Sequence, residues 1–149
     1  MAINIQIASV CDSISKLSIS GVTVKDIDEL SSSWKSLPNV LYPRPDGFIT
    51  NISVTHSDLA RQNYELRYAL TYRFLNVPLG NDAVLFAAYP TLIAKAVLIA
   101  NAIITNHNLT GAVDVTFGGI TNIGALPDPA GNVYHGCDIL INVLEYLEA

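Results

Sequence analysis

The alternation of polar and apolar residues is most regular between Asn63 and Leu75, where the sequence reads NYELRYALTYRFL. Every second position holds an aromatic or aliphatic side chain, namely Tyr64, Leu66, Tyr68, Leu70, Tyr72 and Phe74. Successive side chains of a β-strand point to opposite faces of a sheet, so this period of two predicts one long strand. Its other face carries Glu65, Arg67 and Arg73.

The residues before this strand predict a helix, an extended segment and a second strand. Apolar residues recur every three or four positions from residue 3 to residue 17, which predicts an amphipathic helix. The segment LPNVLYPRPDG contains three prolines within eight residues, so we predict an extended loop or an edge segment there. The run FITNISVTH, from Phe48 to His56, predicts a strand that pairs with the long strand as a hairpin through a connection near Ser57–Arg61.

The stretch from Asn81 to Asn106 is apolar almost throughout and has no clear polar face. Pro90 fits the first turn of a helix, and Pro90, Lys95 and Asn101 argue against a membrane span. We therefore predict a buried core helix that packs on the apolar face of the long strand. Its predicted contact residues are Leu92, Ile93, Val97 and Ile104.

The last third of the chain predicts a strand at Gly111–Phe117, a glycine- and proline-rich loop after it, and a final strand at Tyr134–Glu145. Together the segments predict an α+β fold. In this fold an antiparallel or mixed β-sheet with a long β-hairpin is packed by an N-terminal helix and a buried hydrophobic helix. We expect residues 1–149 to form a single domain.

Composition narrows the range of functions. Half of the 149 residues are hydrophobic and only 14% are charged, where about a quarter is usual. A surface with so few charges predicts that other subunits cover much of it. The net charge of −5 argues against specific nucleic-acid binding, which requires a basic surface.

His135, Cys137 and Asp138 are the strongest candidates for chemistry. On a strand, His135 and Cys137 share one face and Asp138 lies on the other, so a cysteine nucleophile with a histidine base is possible for the first two alone. We favour the alternative, in which Cys137 is a buried structural thiol, and we expect Cys11 and Cys137 both to be free.

Other patterns argue against a metal or nucleotide site. The acidic residues Asp26, Asp28 and Glu29 lack the glycine and the distant glutamate of a calcium-binding loop. The run GGITNIG lacks the order of a dinucleotide-binding loop, and the chain has no HExxH, GxSxG or GxxxxGK[ST] motif. We therefore expect no catalytic residue, no metal and no cofactor.

In the order of these segments and in their pattern of polar and apolar residues, the chain resembles the tail terminator (tail completion) proteins and related neck proteins of long-tailed bacteriophages. The resemblance covers essentially the whole chain. It includes the helix ending near Leu17, the segment VLYPRPDG, the strands FITNISVTH and NYELRYALTYRFL, the helix after Pro90 and the closing strand HGCDILINVLEY.

This resemblance implies a structural virion protein of the tail or neck, assembled in the host cytoplasm, and no enzymatic activity. It implies a homo-oligomeric ring, usually a hexamer, at the head-proximal end of the tail tube. The implied partners are the tail tube protein and the connector or neck proteins on the head side, and DNA would pass through the lumen.

For such a ring we predict that the charged face of the long strand meets a neighbouring subunit or ring through Glu65, Arg67 and Arg73. Three alternatives stay open. The chain could be another head–tail connector or minor tail protein, a small enzyme using His135 and Cys137, or a soluble ligand-binding domain.

Overall fold

The computed structural model of the protein describes residues 5–30, 38–58, 63–79, 86–108 and 113–148. Two helices, α1 (Ile7–Ser15) and α2 (Tyr89–Thr105), accompany one mixed six-stranded sheet. Its strands are β1 (Thr23–Val24), β2 (Val40–Pro43), β3 (Ile49–Asp58), β4 (Asn63–Pro78), β5 (Val113–Pro127) and β6 (Val133–Glu148). The predicted α+β class with a long hairpin is confirmed.

The long strand predicted from the alternation is β4, and it lies at the centre of the sheet. β6 pairs with it antiparallel along its whole length, while β3 and β2 share its other side. Leu66, Tyr68, Leu70, Tyr72 and Phe74 are all buried on one face, as the period of two predicts. The β3–β4 hairpin is confirmed as well. β3 continues to Asp58, and residues 59–61 of the predicted connection lie outside the described residues.

The proline-rich segment contains a buried strand, so the prediction of a loop or edge segment was only partly right. β2 lies between β1 and β4, and all four of its residues are buried. The reason is the placement of the prolines, because Val40, Leu41 and Tyr42 stand between Pro38 and Pro43 and keep their backbone N–H groups. β1 covers the outer side of β2 with only two residues.

β5 is longer than predicted, because the residues predicted to form a loop after Phe117 continue the strand to Pro127. The pairing of β5 with β6 is interrupted between Phe117 and Gly119 and again between Thr121 and Gly124. Gly119 and Gly124 have positive φ angles of 137° and 146°. The glycines thus form bulges inside a strand instead of ending it.

Both helices pack on the apolar face of the sheet, and α2 lies mainly over β5 and β6 and less over β4, where it was predicted. The core combines Val10, Cys11 and Ile14 of α1 with Leu92, Ala96, Ile99 and Ile103 of α2 and the aromatic and aliphatic residues of β4 and β6. α1 is shorter than predicted, because its last helical residue is Ser15, and residues 3 and 4 lie outside the described residues.

The predicted contact face of α2 was right for Leu92 and wrong for Ile93, Val97 and Ile104, which are exposed. α2 is buried on one side only. A helix that is apolar all round carries no sequence signal for which side faces the sheet, so its rotation could not be predicted.

Leu70 is fully buried at the centre of this core, so Leu70→Ala should lower the free energy of unfolding by about 2–5 kcal/mol. Urea denaturation of the variant measures this loss. Ile52→Ala is the matched control, because Ile52 is exposed on β3 and its truncation should change the stability by less than about 1 kcal/mol. Equal stability of the two variants would contradict the assignment of the core.

Candidate interaction surface

The face of the sheet opposite the helices is open and polar at the hairpin end. Ser53, Arg67, Leu144 and Asp114 form one row across β3, β4, β6 and β5. An open groove of about 910 Å³ follows this face, and its lining includes Asn51, Thr116 and Asn142 as well as the members of that row.

Two of the three predicted interface residues lie together on this open face. Arg67 Nη2 is 3.1 Å from Glu65 Oε2, and the arginine side chain is mostly exposed. An exposed ion pair of this kind contributes at most about 1 kcal/mol to stability. The pair can therefore separate at low cost when either side chain binds a partner. Both groups are accessible to a partner.

Arg73, the third predicted interface residue, lies apart from them and is engaged within the chain. Its side chain is 16% exposed, and its Nε and Nη2 atoms donate to the two carboxylate oxygens of Asp138 at 2.9 and 3.2 Å. This bidentate geometry is the strongest form of the arginine–carboxylate pair.

Asp138 accepts further hydrogen bonds from side chains of two other segments. Arg44 Nη1 donates to its Oδ2 at 3.0 Å, and Asn122 Nδ2 donates to the same atom at 2.8 Å. We call Arg44, Arg73, Asn122 and Asp138 the Asp138 cluster. It joins the segment after β2 to β4, β5 and β6.

The carboxylate of Asp138 is held in its charged form. Burial alone would raise the pKa of this fully buried group, but hydrogen bonds from Arg73, Asn122 and Arg44, together with the charge of Arg73, hold the pKa below its usual value. The sequence could not indicate the cluster, because its members come from four separate segments.

A cavity of about 440 Å³ lies beside the cluster and is lined by Tyr42, Arg44, Arg73 and Asp128, among others. Both guanidinium groups already make hydrogen bonds within the chain. Each donates to Asp138, and Arg44 also donates to the backbone oxygens of Asp46 and Gly47. Asp128 adds a buried acidic group. The cavity therefore offers no strong excess of positive charge for an anionic ligand, and the cluster acts as a structural clamp.

The structure places His135 and Cys137 on the core side of β6 and Asp138 on the opposite side, as the strand geometry predicts. Both side chains are fully buried, and neither ring nitrogen of His135 has a hydrogen-bond partner among the described residues. Burial lowers the pKa of His135. Burial, and to a smaller extent the charge of Asp138, raises the pKa of the Cys137 thiol to about 12.

A cysteine nucleophile requires an accessible thiolate within hydrogen-bond reach of a base. Cys137 meets neither condition in this arrangement. Cys137 and Cys11 are both free and buried, as predicted.

The acidic residues near position 26 stabilise a turn. Asp26 accepts a hydrogen bond from the backbone N–H of Ile27, and Glu29 accepts one from the backbone N–H of Asp26, which forms a capping box around the 3₁₀ turn Ile27–Glu29. Within the described ranges, no three His, Cys, Asp or Glu side chains gather where they could hold a metal ion.

A buried carboxylate that the sequence analysis missed fixes α1 to the sheet. Glu145 Oε2 accepts a hydrogen bond from the Tyr68 hydroxyl at 2.5 Å, and its Oε1 accepts one from the backbone N–H of Gln6 at 2.7 Å. Gln6 is the N-cap residue of α1, where a negative charge is favourable.

The outer side of α2 is exposed, although the sequence predicted a buried helix. Its exposed positions from Pro90 to Thr105 carry no charged side chain. Lys95, the one charged residue of this helix, is half-buried and donates to Asn39 at 2.6 Å. Ile93, Val97, Leu98 and Ile104 are 38–57% exposed. We call this surface the α2 outer face.

Single exposed apolar residues are common on proteins, but a contiguous group of them marks an interaction site. The absence of charge over most of residues 81–106 is the sequence signal that could have indicated this face. The same absence of charge also fits a helix buried on all sides, which is why the exposed side was not predicted.

No protein-family model matches this chain, and no curated protein matches it either. The resemblance to tail terminator proteins therefore stays a prediction. In the part of the chain that the structure covers, neither helix is long and apolar enough to cross a membrane.

Asp138→Asn should lower the free energy of unfolding at pH 7 by about 3–5 kcal/mol, because it leaves Arg73 beside a neutral group in a buried site. The folded-state pKa of Asp138 lies below the unfolded value of about 3.9. Its contribution is therefore complete above about pH 5 and is lost as the pH falls through the folded-state pKa.

Urea denaturation between pH 7 and pH 3 measures both effects. The acid-induced loss of stability should be smaller in Asp138→Asn than in the unmodified protein. Asp12→Asn is the control, because Asp12 forms only an exposed pair with Lys16. If Asp138→Asn matched Asp12→Asn at pH 7, the cluster would not stabilise the fold.

Proposed function

We propose that this protein is a structural, non-enzymatic virion protein, a ring subunit at the head-proximal end of a phage tail tube. In this proposal it joins the tail tube to the connector or neck proteins on the head side. The observation that carries the assembly role is the α2 outer face, an exposed helix surface without a charged side chain.

The physical reason is the cost of leaving such a face in water. Four large aliphatic side chains on one helix remain partly exposed, and burying apolar surface contributes about 25 cal/mol per Å². A partner that covers this face gains free energy without removing any charge from water. The six-fold ring and the phage setting come from the resemblance alone.

The open face gives the proposal a second surface. A ring requires two different complementary surfaces on each subunit, and the open face and the α2 outer face lie on opposite sides of the sheet. Glu65 and Arg67 would set the orientation of a neighbour, since exposed charges contribute more to specificity than to affinity. Arg73 supports this face from within the Asp138 cluster.

Another head–tail connector or minor tail protein would use the same surfaces, so that alternative stays open. The enzyme alternative depends on His135 and Cys137, whose burial and lack of a mutual hydrogen bond do not favour it. The ligand-binding alternative has one observation in its favour, the groove of about 910 Å³ on the open face. A monomer that binds a small polar ligand in this groove would favour it over assembly.

Light scattering after size exclusion, with electron microscopy of the peak, tests the assembly role. We expect a ring-shaped oligomer, either alone or on added tail tubes. Val97→Glu/Leu98→Glu should reduce assembly at least tenfold while the subunit stays folded, because it places two charges in the α2 outer face. Pro45→Glu/Ala130→Glu adds the same charge at exposed loop positions away from α2 and should assemble normally. A monomer that does not bind tail tubes would contradict the proposal.

The predicted interface on the open face has a test of its own. Arg67→Glu should impair assembly or tail joining without loss of stability, because Arg67 is exposed and its pair with Glu65 is weak. Arg73→Glu is unsuitable, because it would place a second carboxylate against Asp138. Glu65→Arg/Arg67→Glu restores an ion pair with reversed direction and separates loss of the pair from loss of the arginine. Normal assembly of Arg67→Glu at physiological salt would show that this face is only solvated.

A further inference from the structure

Lys95 differs from the other basic side chains that the structure describes. Each of the others has a nitrogen 2.9–3.6 Å from a carboxylate oxygen of the same chain, namely Lys16, Lys25, Arg44, Arg67 and Arg73. In the described part of the chain Lys95 has no carboxylate partner, and its Nζ atom donates to the amide oxygen of Asn39 at 2.6 Å. An ammonium group has three N–H donors, so this bond leaves two of them for a partner.

Lys95 lies at the margin of the α2 outer face. It is half-buried, and Leu98, which follows three residues later on the same side of the helix, is 43% exposed. The backbone of Asn39 is held by hydrogen bonds to Asn76 and Thr23, so the group that binds the ammonium is fixed in place. The margin of this apolar face therefore carries one positive charge at a defined position.

Asp114 is the matching group on the open face. It is partly exposed and lines the groove on that face, and its carboxylate has no ion pair and no hydrogen bond within the described residues. Glu65 lies on the same face but already pairs with Arg67. The described side chains of the open face therefore carry one negative charge that nothing in the chain neutralises.

Apolar side chains accompany the charge on the open face, as they do on α2. Leu144 lies beside Asp114 in the same row, and Tyr146, two residues further along β6 on the same face, is 49% exposed. Apolar surface of both kinds can thus be buried where the two opposite charges meet. Neither charge is then buried without a partner, which is the arrangement that would be strongly unfavourable.

Resting on the proposed ring function, we infer that Lys95 of one copy forms an ion pair with Asp114 of the next copy, with the α2 outer face of the first on the open face of the second. These faces lie on opposite sides of the sheet, so the contact is heterologous and rotation can close it into a ring. The ion pair sets the orientation of the copies, and the apolar contacts supply affinity. Two α2 outer faces that met about a two-fold axis would bring two Lys95 side chains into one interface and stop at a dimer.

Charge reversal at each position tests this contact. Lys95→Glu and Asp114→Lys should each reduce ring formation at least about tenfold, because each places two like charges in the interface. Pro45→Glu/Ala130→Glu and Pro45→Lys/Ala130→Lys are the controls, since they change the net charge by the same amounts at exposed loop positions. Light scattering after size exclusion, on the protein alone or with tail tubes, measures assembly.

Combining the two reversals is the decisive step. In an equal mixture of Lys95→Glu and Asp114→Lys, every contact between unlike copies joins opposite charges, so an alternating ring with an even number of subunits should form. The double variant Lys95→Glu/Asp114→Lys should assemble by itself for the same reason. If the single variants are folded by circular dichroism and neither the mixture nor the double variant recovers assembly, the two charges do not face each other and the inference is overturned.

Asp114→Asn removes the charge with the smallest change of shape, and it tests the contact even if a reversal disturbs folding. It should weaken ring formation about fivefold and make the remaining assembly less sensitive to added salt, because the ion pair is lost. Assembly and salt dependence equal to those of the unmodified protein would overturn the inference.

Two further outcomes separate this inference from the proposed function. If both single reversals assembled like the unmodified protein, the ring would use other contacts, and only this inference would fail. If the unmodified protein stayed monomeric and did not bind tail tubes, the proposed function would fail, and the ion pair between copies would fail with it.

Discussion

The fully buried carboxylate of Asp138 is the constraint on which the arrangement of the sheet depends. Taking a carboxylate out of water costs several kcal/mol, and the fold offsets this cost with four hydrogen bonds from Arg44, Arg73 and Asn122. Each donor comes from a different segment, so the segment after β2, the strand β4 and the irregular part of β5 are all fixed to β6 at one point. Asn122 reaches the carboxylate from a left-handed backbone conformation with a φ of 51°, within the second irregularity of β5, between Thr121 and Gly124. This second bulge therefore contributes to the cluster, because it turns the strand so that the Asn122 amide reaches a buried charge.

The cluster also divides the face of the sheet that the helices leave uncovered. Near Arg73 this face is closed by a small second core of Val40, Tyr42, Leu75 and Tyr134. Toward the hairpin end the same face is open, and Arg67 is exposed there, six residues along the same strand. Arg67 and Arg73 have equal status in the sequence, because both occupy the polar phase of one alternating strand. Only the long-range partner of Arg73 distinguishes them, and strand periodicity contains no information about such a partner.

The difference between local sequence patterns and long-range contacts also explains which parts of the fold could be predicted. The β3–β4 hairpin and the buried face of β4 follow from local alternation, which fixes the orientation of every side chain once the strand is assigned. The rotation of α2 does not, because Ile93 and Ile99 are equivalent in a helix that is apolar all round, although the structure exposes one and buries the other. The length of β5 was missed for a different reason. Glycine and asparagine favour turns in isolation, but β6 pairs with β5 on both sides of its two bulges, and this tertiary pairing overrides the local preference.

Several of the few charged side chains of this chain make contacts in its interior, and this leaves fewer charges on its surface. The chain has eight Lys and Arg residues. Arg44 and Arg73 bind Asp138, and Lys95 bonds to Asn39. Glu145 is buried where it anchors α1, and Asp26 and Glu29 cap a turn. A charged side chain that makes contacts inside the chain does not add charge to the surface. The exposed side of α2 and the outer edges of β3 and β5 therefore carry almost no charge. The apolar side chains of α2 that stay exposed are the surface that a partner would remove from water without burying a charge.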